Sequence, residues 1–336
     1  MTGLCDRFGR RITYLRVSVT DKCNLRCVYC MPEEGVVPRS HDEILRVEEI
    51  VRVVRVATAL GIDKIRITGG EPLVRKGIID LVRMVAALPG VRDLSMTTNA
   101  TLLMRYARDL AKAGLRRVNI SLDTLRPDVY AKITRRGDIR AALEGIAAAE
   151  VAGLRPLRLN AVVVRGMNDG EIEDLARLTL THAWDVRFIE FMPFWGNGGS
   201  LGPWQVVPIE EIRRRVVDLG PEPCSACQPP GGAGPATYLR LPGAMGRVGF
   251  ISREGDGFCV RCNRLRLTAD GKLLPCLLAG LELDLRGALR GGASDDDIAA
   301  LIRKAVALKP ESGAVRDDGG ACSRRGVPPP LSDIGG

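Results

Sequence analysis

Several residue types are scarce in this chain, and each scarcity excludes a class of protein. Aromatic residues make up only 4% of the 336 residues, which speaks against a surface that stacks nucleic-acid bases. No hydrophobic run reaches the roughly 18 residues that a membrane-spanning helix needs. The first residues lack the apolar segment of a secretory signal. The sequence therefore predicts a cytoplasmic protein with no membrane and no nucleic acid among its partners.

Long basic runs are also lacking, although the net charge is +9. No block of about five consecutive basic residues occurs, as it would in many nucleic-acid-binding tails. The excess is mostly arginine, and we expect the bulk of it to lie on a solvated face. An anionic surface or an anionic small substrate would account for the rest.

Cysteine, in contrast, is plentiful. Ten cysteines in a chain without an export signal indicate metal or redox chemistry rather than disulfides. Cys23, Cys27 and Cys30 follow a predicted strand in a Cys-x3-Cys-x2-Cys pattern, and we call them the first triad. Thiolates are soft ligands that suit iron–sulfur clusters, zinc or Cu(I). Three thiolates would leave one iron of a four-iron cluster open to bind a substrate.

A zinc site or a set of free thiols is the alternative to such a cluster. Zinc normally takes four ligands. The chain has only two histidines, His41 and His182, and neither lies at ligand spacing from the first triad. The pattern therefore favours an iron–sulfur cluster.

A second triad consists of Cys259, Cys262 and Cys276. The turn signal Asp270-Gly271 lies between its last two members, so the chain can fold all three thiols onto one metal group. No histidine is near, which favours a second cluster with an open iron. Zinc stays an alternative if Cys224, Cys227 or Cys322 supplies the fourth ligand.

Strand-like and helix-like segments alternate from Leu15 to Phe191. This order predicts an α/β fold with parallel strands and right-handed crossovers, and six units make a partial β/α barrel rather than a closed one. The predicted strands are Leu15–Thr20, Lys64–Thr68, Asp93–Thr98, Arg117–Leu122, Leu157–Val164 and Val186–Phe191. The predicted helices are Val47–Leu60, Gly77–Leu88, Leu102–Ala113, Ile139–Ala152 and Asp169–His182.

Composition divides the chain into four parts. Residues 1–192 form the barrel, 193–235 a connecting segment rich in Gly and Pro, 236–310 an α+β extension with the second triad, and 311–336 a mobile tail. In the connecting segment and the extension we predict three helices and three strands. These are Pro208–Asp218, Asp284–Arg290 and Asp295–Leu308, and Thr237–Leu241, Arg247–Ser252 and Arg264–Thr268.

Several strings of the sequence resemble the GTP 3′,8-cyclase family, whose members are radical S-adenosylmethionine (SAM) enzymes of molybdenum cofactor biosynthesis. The resemblance covers nearly the whole chain, including the terminal Gly335-Gly336. It is carried by Leu15–Pro32, Lys64–Arg75, Val118–Asp123, Arg187–Pro193 and Phe258–Lys272.

The resemblance implies a reaction and its cofactors. Two [4Fe–4S] clusters would be held by the two triads, and SAM at the first would be cleaved reductively to a 5′-deoxyadenosyl radical. That radical would remove the ribose 3′ hydrogen of GTP, whose base lies at the second cluster, and the ribose carbon would attack C8. The product would be (8S)-3′,8-cyclo-7,8-dihydroguanosine 5′-triphosphate.

The resemblance also implies roles for single residues. SAM would contact Tyr29, Gly70, Ser121 and Met192. GTP would contact Arg16, Arg66, Thr97, Arg158, Arg264, Leu265 and Arg266. Arginine suits a triphosphate because its planar fork of donors forms charge-assisted hydrogen bonds.

Two positions of the chain depart from the family's pattern. Arg158 stands where lysine is usual, and Ala100 stands where glycine is usual. The charge at the first position is kept, whereas the second change is expected to tighten the turn after the third strand.

Partners follow from the same resemblance. They are a reductant for the clusters and a downstream enzyme of molybdopterin synthesis that takes the product, and the sequence leaves a homodimer open. The tail would reach the active site with its two glycines. Two other functions stay open, namely a different radical SAM enzyme with an auxiliary cluster, such as a peptide maturase, and a non-enzymatic zinc or nucleic-acid binding protein.

Overall fold

The computed structural model describes residues 3–37, 39–191, 205–220, 236–252, 259–277 and 279–312. Six parallel strands follow the predicted order, each within two residues of its expected bounds. They are β1 (Tyr14–Ser18), β2 (Lys64–Thr68), β3 (Asp93–Thr98), β4 (Arg117–Ser121), β5 (Arg158–Arg165) and β6 (Asp185–Glu190). The partial β/α barrel is thus confirmed.

Helices connect these strands, and five of them were predicted. The six are α1 (Val47–Ala59), α2 (Ile78–Ala86), α3 (Leu103–Lys112), α4 (Pro127–Thr134), α5 (Ile139–Val151) and α6 (Ile172–Thr181). Helix α4 was not predicted, because its eight residues give too short a pattern. Pro127 at its first position, where a missing N–H costs nothing, was the available signal.

The rest of the described chain adds shorter elements. They are β7 (Gln205–Val206), α7 (Ile209–Val217), β8 (Thr237–Leu239), β9 (Arg247–Ile251), β10 (Arg264–Leu267), β11 (Lys272–Leu274), β12 (Leu283–Asp284), α8 (Leu285–Arg290) and α9 (Asp295–Ala307). Sequence analysis missed the short strands β7, β11 and β12. Ser294 caps α9, since its hydroxyl accepts a hydrogen bond from the Asp297 amide at 3.2 Å.

The strands of the C-terminal extension continue the barrel sheet at both edges. Strand β10 pairs in parallel with β1, and β9 pairs in parallel with β6. Beyond them, β11 and β12 extend one edge and β8 extends the other, all antiparallel. Strand β10, which follows Cys259 and Cys262 in the chain, therefore lies directly beside β1, which precedes the first triad.

The two faces of the sheet differ in chemistry. Leu15 and Val17 of β1 point into the hydrophobic core, which they share with Ile50 and Val53 of α1. Arg16, between them, belongs to the opposite face because side chains alternate along a strand. Within the described residues, no helix is long and apolar enough to cross a membrane.

Ala100 lies in the turn after β3 with a φ of 64°, in the left-handed region. An alanine there costs about 1–2 kcal/mol, which glycine would avoid. The departure from the family's pattern at this position is therefore a strained turn, and it lies close to the first triad.

Candidate active site at the carboxyl ends of the strands

The first triad lies in the loop that follows β1. The Cys30 amide donates to the Cys27 carbonyl at 2.9 Å, which folds the loop on itself. Helix α4 supports it from the side, since the Val28 amide donates to the Ile133 carbonyl at 2.9 Å. The helix that sequence analysis missed thus fixes the backbone of the triad.

The thiols of the first triad are largely removed from water. Burial raises the pKa of Cys23 to about 11 and that of Cys30 to about 12, and it raises the pKa of Cys27 well above its ordinary value. None of the described cysteines forms a disulfide. Without metal these thiols are protonated at neutral pH, so metal binding must release protons. Three thiols without disulfide partners in one partly buried loop fit an iron–sulfur cluster.

Gly70 packs against the cysteine loop itself. Its amide donates to the Thr20 carbonyl at 2.7 Å. A Cβ at this position would lie 2.3 Å from the Lys22 carbonyl oxygen, far inside van der Waals contact. The glycine is therefore required by the chain's own packing, whatever it does for a cofactor.

Glu71 joins the ends of β2 and β3 beneath the first triad. Its carboxylate accepts from the Thr98 hydroxyl and the Asn99 amide, both at 2.8 Å. The Asn99 side chain in turn lies 3.9 Å from the Cys23 sulfur. Burial raises the pKa of Glu71 to about 7 even though these hydrogen bonds lower it. The carboxylate holds the turn that faces the triad.

Tyr29 is fixed by a buried carboxylate. Its hydroxyl donates to Asp123 Oδ2 at 2.6 Å, and the Val162 amide donates to the other carboxylate oxygen at 2.8 Å. Burial raises the pKa of Asp123 to about 6, which the Tyr29 hydrogen bond partly offsets. The aromatic residue of the cysteine motif is thus tied to the end of β4.

Arginines stand side by side across the sheet. Arg16 of β1 is in register with Arg266 of β10 on one side and with Arg66 of β2 on the other. Burial, followed by mutual repulsion, lowers the pKa of Arg16 well below its ordinary value, and it lowers that of Arg266 to about 10. We call these three residues the arginine row. Concentrated positive charge of this kind is expensive unless an anion neutralises it.

Arg187 of β6 adds a further buried cation that sequence analysis did not assign to the site. Its Nη2 donates to Asn119 Oδ1 at 2.7 Å, whereas its Nε is buried without a hydrogen-bond partner in the described part of the chain. Burial lowers its pKa to about 10. The Thr97 hydroxyl and Asn160 Oδ1 are likewise buried and unpartnered among the described residues. Such polar atoms are ones that an ordered water or a polar ligand would satisfy.

Arg158 has a partner of its own. Its Nε lies 3.4 Å from Asp185 Oδ2, and Asp185 also pairs with Arg247 at 2.7 Å. Arg158 is in register with Asn119 of β4. Its charge therefore has a direct ion-pair partner, which Arg187 lacks among the described residues.

The second triad lines a pocket together with Arg264, Arg266 and Lys309. Burial raises the pKa of Cys262, but the positive charges of Arg264 and Lys309 outweigh it and lower the value to about 7. The three thiols thus converge in a cationic pocket that fits an anionic cluster. In the described ranges, no three His, Cys, Asp or Glu side chains are close enough to bind a single ion. A four-iron cluster places its cysteines on separate irons and does not require this.

Known proteins match the chain over most of its length. Residues 17–179 match the Radical SAM superfamily, and residues 184–315 match Molybdenum Cofactor Synthesis C. The chain is 53% identical to the GTP 3′,8-cyclase of Pelotomaculum thermopropionicum, covering 91% of this chain and 94% of that one. The GTP 3′,8-cyclase of Moorella thermoacetica is 52% identical, covering 91% and 93%. This chain belongs to the GTP 3′,8-cyclase family.

Among solved structures, this family member resembles Streptococcus suis SuiB bound to precursor peptide SuiA. The TM-score is 0.58 with 16% identity, and the match covers 79% of this chain and 60% of SuiB. At this identity the likeness concerns the fold alone.

Membership of the radical SAM superfamily brings SAM and a [4Fe–4S] cluster, and the first triad is the part of this cyclase-family chain that fits the cluster. Tyr29, Gly70 and Ser121 lie around it, on the cysteine loop and at the ends of β2 and β4. Met192 lies outside the described residues, as do Cys224, Cys227, Cys322 and the two terminal glycines.

The residues expected to contact GTP fall into two groups in this cyclase-family chain. Arg16, Arg66, Arg266 and Thr97 lie on the polar face of the sheet, and Arg264 lines the pocket of the second triad. Leu265 differs, because its side chain is buried in the hydrophobic core, so that only its backbone can face the site. Glu71, Asp123 and Arg187 were not assigned, although all three stand in the strings that carried the resemblance.

We expect Gly70→Ala to disrupt the first triad. The added Cβ would displace the Lys22 carbonyl and, with it, the adjoining Cys23. Iron bound per chain should fall by up to about half, since the second triad keeps its own iron, and SAM cleavage should fall severalfold. Gly170→Ala is the matched control, since a Cβ there meets nothing within 4 Å. Normal iron content and SAM cleavage in Gly70→Ala would contradict the packing argument.

Proposed function

We propose that this chain catalyses the radical SAM cyclisation of GTP to (8S)-3′,8-cyclo-7,8-dihydroguanosine 5′-triphosphate, the first step of molybdopterin biosynthesis. The observation that carries the proposal is the arginine row, with Arg16 and Arg266 buried and Arg66 partly buried, between two cysteine triads in a chain whose relatives bear this enzyme's name. A triphosphate is the kind of ligand that so much buried positive charge requires.

The protein's part in substrate binding is electrostatic. Arg16, Arg66 and Arg266 offer neighbouring guanidinium groups, each able to form forked hydrogen bonds to phosphate oxygens. Arg187 extends the same charge along the sheet, and its Nε has no hydrogen-bond partner within the described ranges. The negative charges of the triphosphate would offset the repulsion among these guanidinium groups. Bound in this way, the triphosphate would orient the ribose toward the first triad.

SAM would bind at the first triad's cluster, held by Tyr29, Gly70, Ser121 and Met192. When bound there, the cluster and SAM supply the carbon radical that removes hydrogen from the ribose. The chain's own contribution is to hold the loop rigid. Asp123 fixes Tyr29 and Glu71 fixes the turn at Asn99, so the cofactor meets a site that is already formed.

The second triad would hold a second [4Fe–4S] cluster, with the guanine base of GTP at its open iron. The pocket supports this assignment, because Arg264 and Arg266 line it together with the three thiols. Both residues also belong to β10, which pairs with β1 and places Arg266 opposite Arg16. One strand thus connects the base end of the substrate to the phosphate end.

Electrons must reach the clusters from a reductant, and the product would pass to a downstream enzyme of molybdopterin synthesis. The terminal Gly335-Gly336 would enter the active site beside GTP. The last described residues are compatible with this route, since Arg10 donates to the Glu311 carbonyl and to the Cys259 carbonyl, each at 2.8 Å. The chain therefore leaves the described region next to the second triad.

The test is anaerobic turnover of the reconstituted protein with SAM, dithionite and GTP deuterated at the ribose 3′ position. We expect the cyclised triphosphate by mass spectrometry, together with 5′-deoxyadenosine that has gained deuterium. ATP in place of GTP is the matched control and should not stimulate SAM cleavage. Deuterium-free 5′-deoxyadenosine, or SAM cleavage that responds to a peptide instead of GTP, would contradict the proposal.

A further inference from the structure

Lys309 is a buried cation at the second triad. It follows the end of α9, and only 2% of its surface is exposed. In the parts of the chain that the structure describes, no carboxylate forms an ion pair with it. An ammonium group taken out of water needs negative charge or several acceptors to compensate it.

The ammonium joins the two chain segments that carry the triad. It donates to the Arg264 carbonyl at 2.9 Å and to the Pro275 carbonyl at 2.7 Å. Pro275 directly precedes Cys276, and Arg264 is two residues after Cys262. Lys309 also lines the pocket into which Cys262 and Cys276 project. Both hydrogen bonds therefore end beside ligands of the proposed cluster.

Two backbone carbonyls satisfy two donors but carry no net charge. The negative charge that the ammonium lacks would come from a cluster held by three thiolates. Hydrogen bonds and positive charges at the sulfurs of such a cluster favour its more negative, reduced state, and this is one of the means by which proteins set its potential. The position of Lys309 thus suits the tuning of a redox-active cluster, and not only the linking of two chain segments.

We propose that Lys309 is a positioning residue of the second cluster, which holds the Cys262 and Cys276 segments together and raises the reduction potential of the cluster through its charge. The inference rests on the proposed second cluster. It gives a role to Lys309, which belongs neither to the two triads nor to the arginine row.

The test isolates the second cluster in the full-length chain. In a parent variant with Cys23, Cys27 and Cys30 all replaced by alanine, every iron signal after anaerobic reconstitution belongs to the second triad. Lys309→Met keeps the length of the side chain and removes its charge. Lys304→Met, at an exposed position of α9, is the matched control. Midpoint potentials are measured by dithionite titration followed by electron paramagnetic resonance.

We expect the parent and Lys304→Met to share one midpoint potential, and Lys309→Met to have a clearly more negative one. If Lys309→Met fails to fold or to bind iron, Lys309→Gln replaces it, since an amide can still donate to a carbonyl but has no charge. An unchanged potential in the variant that binds iron would overturn the role of Lys309. Absence of iron from the parent itself would instead contradict the second cluster.

Discussion

Cys259→Ala is expected to stop GTP cyclisation while leaving SAM bound to an intact first cluster. The supports of the first triad are α4, Glu71 and Asp123, and none of them belongs to the pocket that Cys259 lines. Iron per chain should fall by about half, and product should fall below detection. Cys23→Ala should have the complementary effect, with loss of all SAM cleavage and retention of the second site's iron.

Cys5→Ala is the matched control for both variants, because Cys5 is exposed and lies outside either triad. Its iron content and turnover should equal those of the wild type. Cys224→Ala and Cys227→Ala are also expected to keep their iron. Loss of second-site iron on replacing Cys224 would show that a fourth cysteine completes that site, in contradiction to the open iron. Cyclisation by Cys259→Ala would contradict the whole allocation.

Arg187→Met is expected to weaken GTP binding by roughly ten- to a hundred-fold. A hydrogen bond to a charged group contributes about 1.5–3 kcal/mol, and 1.4 kcal/mol corresponds to a factor of ten. Arg187 is buried, and its Nε has no partner among the described residues, so its charge is available to an anion. Equilibrium binding of GTP to the reconstituted enzyme measures the effect.

Arg158 provides the comparison within the same sheet. It already pairs with Asp185, so Arg158→Ala should weaken GTP binding less than Arg187→Met does, and Arg158→Lys should retain activity. Arg83→Met, on the exposed side of α2, is the control for removing a positive charge and should bind GTP normally. Equal and normal affinity in Arg187→Met and Arg83→Met would remove Arg187 from the site.

The barrel could be predicted because its signals are local. Each β/α unit places a short apolar run before a helix with period 3.6, and these patterns gave the six strands within two residues. Helix α4 escaped because two turns after a proline produce little periodicity. Strands β11 and β12, of three and two residues, are shorter than the alternation needed to recognise them.

Long-range pairing and side-chain partners could not be predicted in this way. Nothing local in β10 indicates that it lies beside β1, since that choice depends on which edge of the sheet is open. Arg187 stands in a run that predicts a buried strand, so its place on the polar face appears only from the register. Lys309 looks like an ordinary basic residue after a helix, and its burial depends on the loop that carries Pro275.

The position of β10 beside β1 has a consequence for how the chain is made. Asn263 and Thr13, which are hydrogen-bonded at 2.9 Å, stand 250 residues apart. At about 5–20 residues per second, a ribosome needs roughly 12–50 s to add that length. Throughout this interval one edge of β1 has no strand to pair with, and an open strand edge is a site for association with other chains. The nascent protein is therefore exposed to association at this edge until its last strands emerge, unless the sheet forms late or another protein covers it.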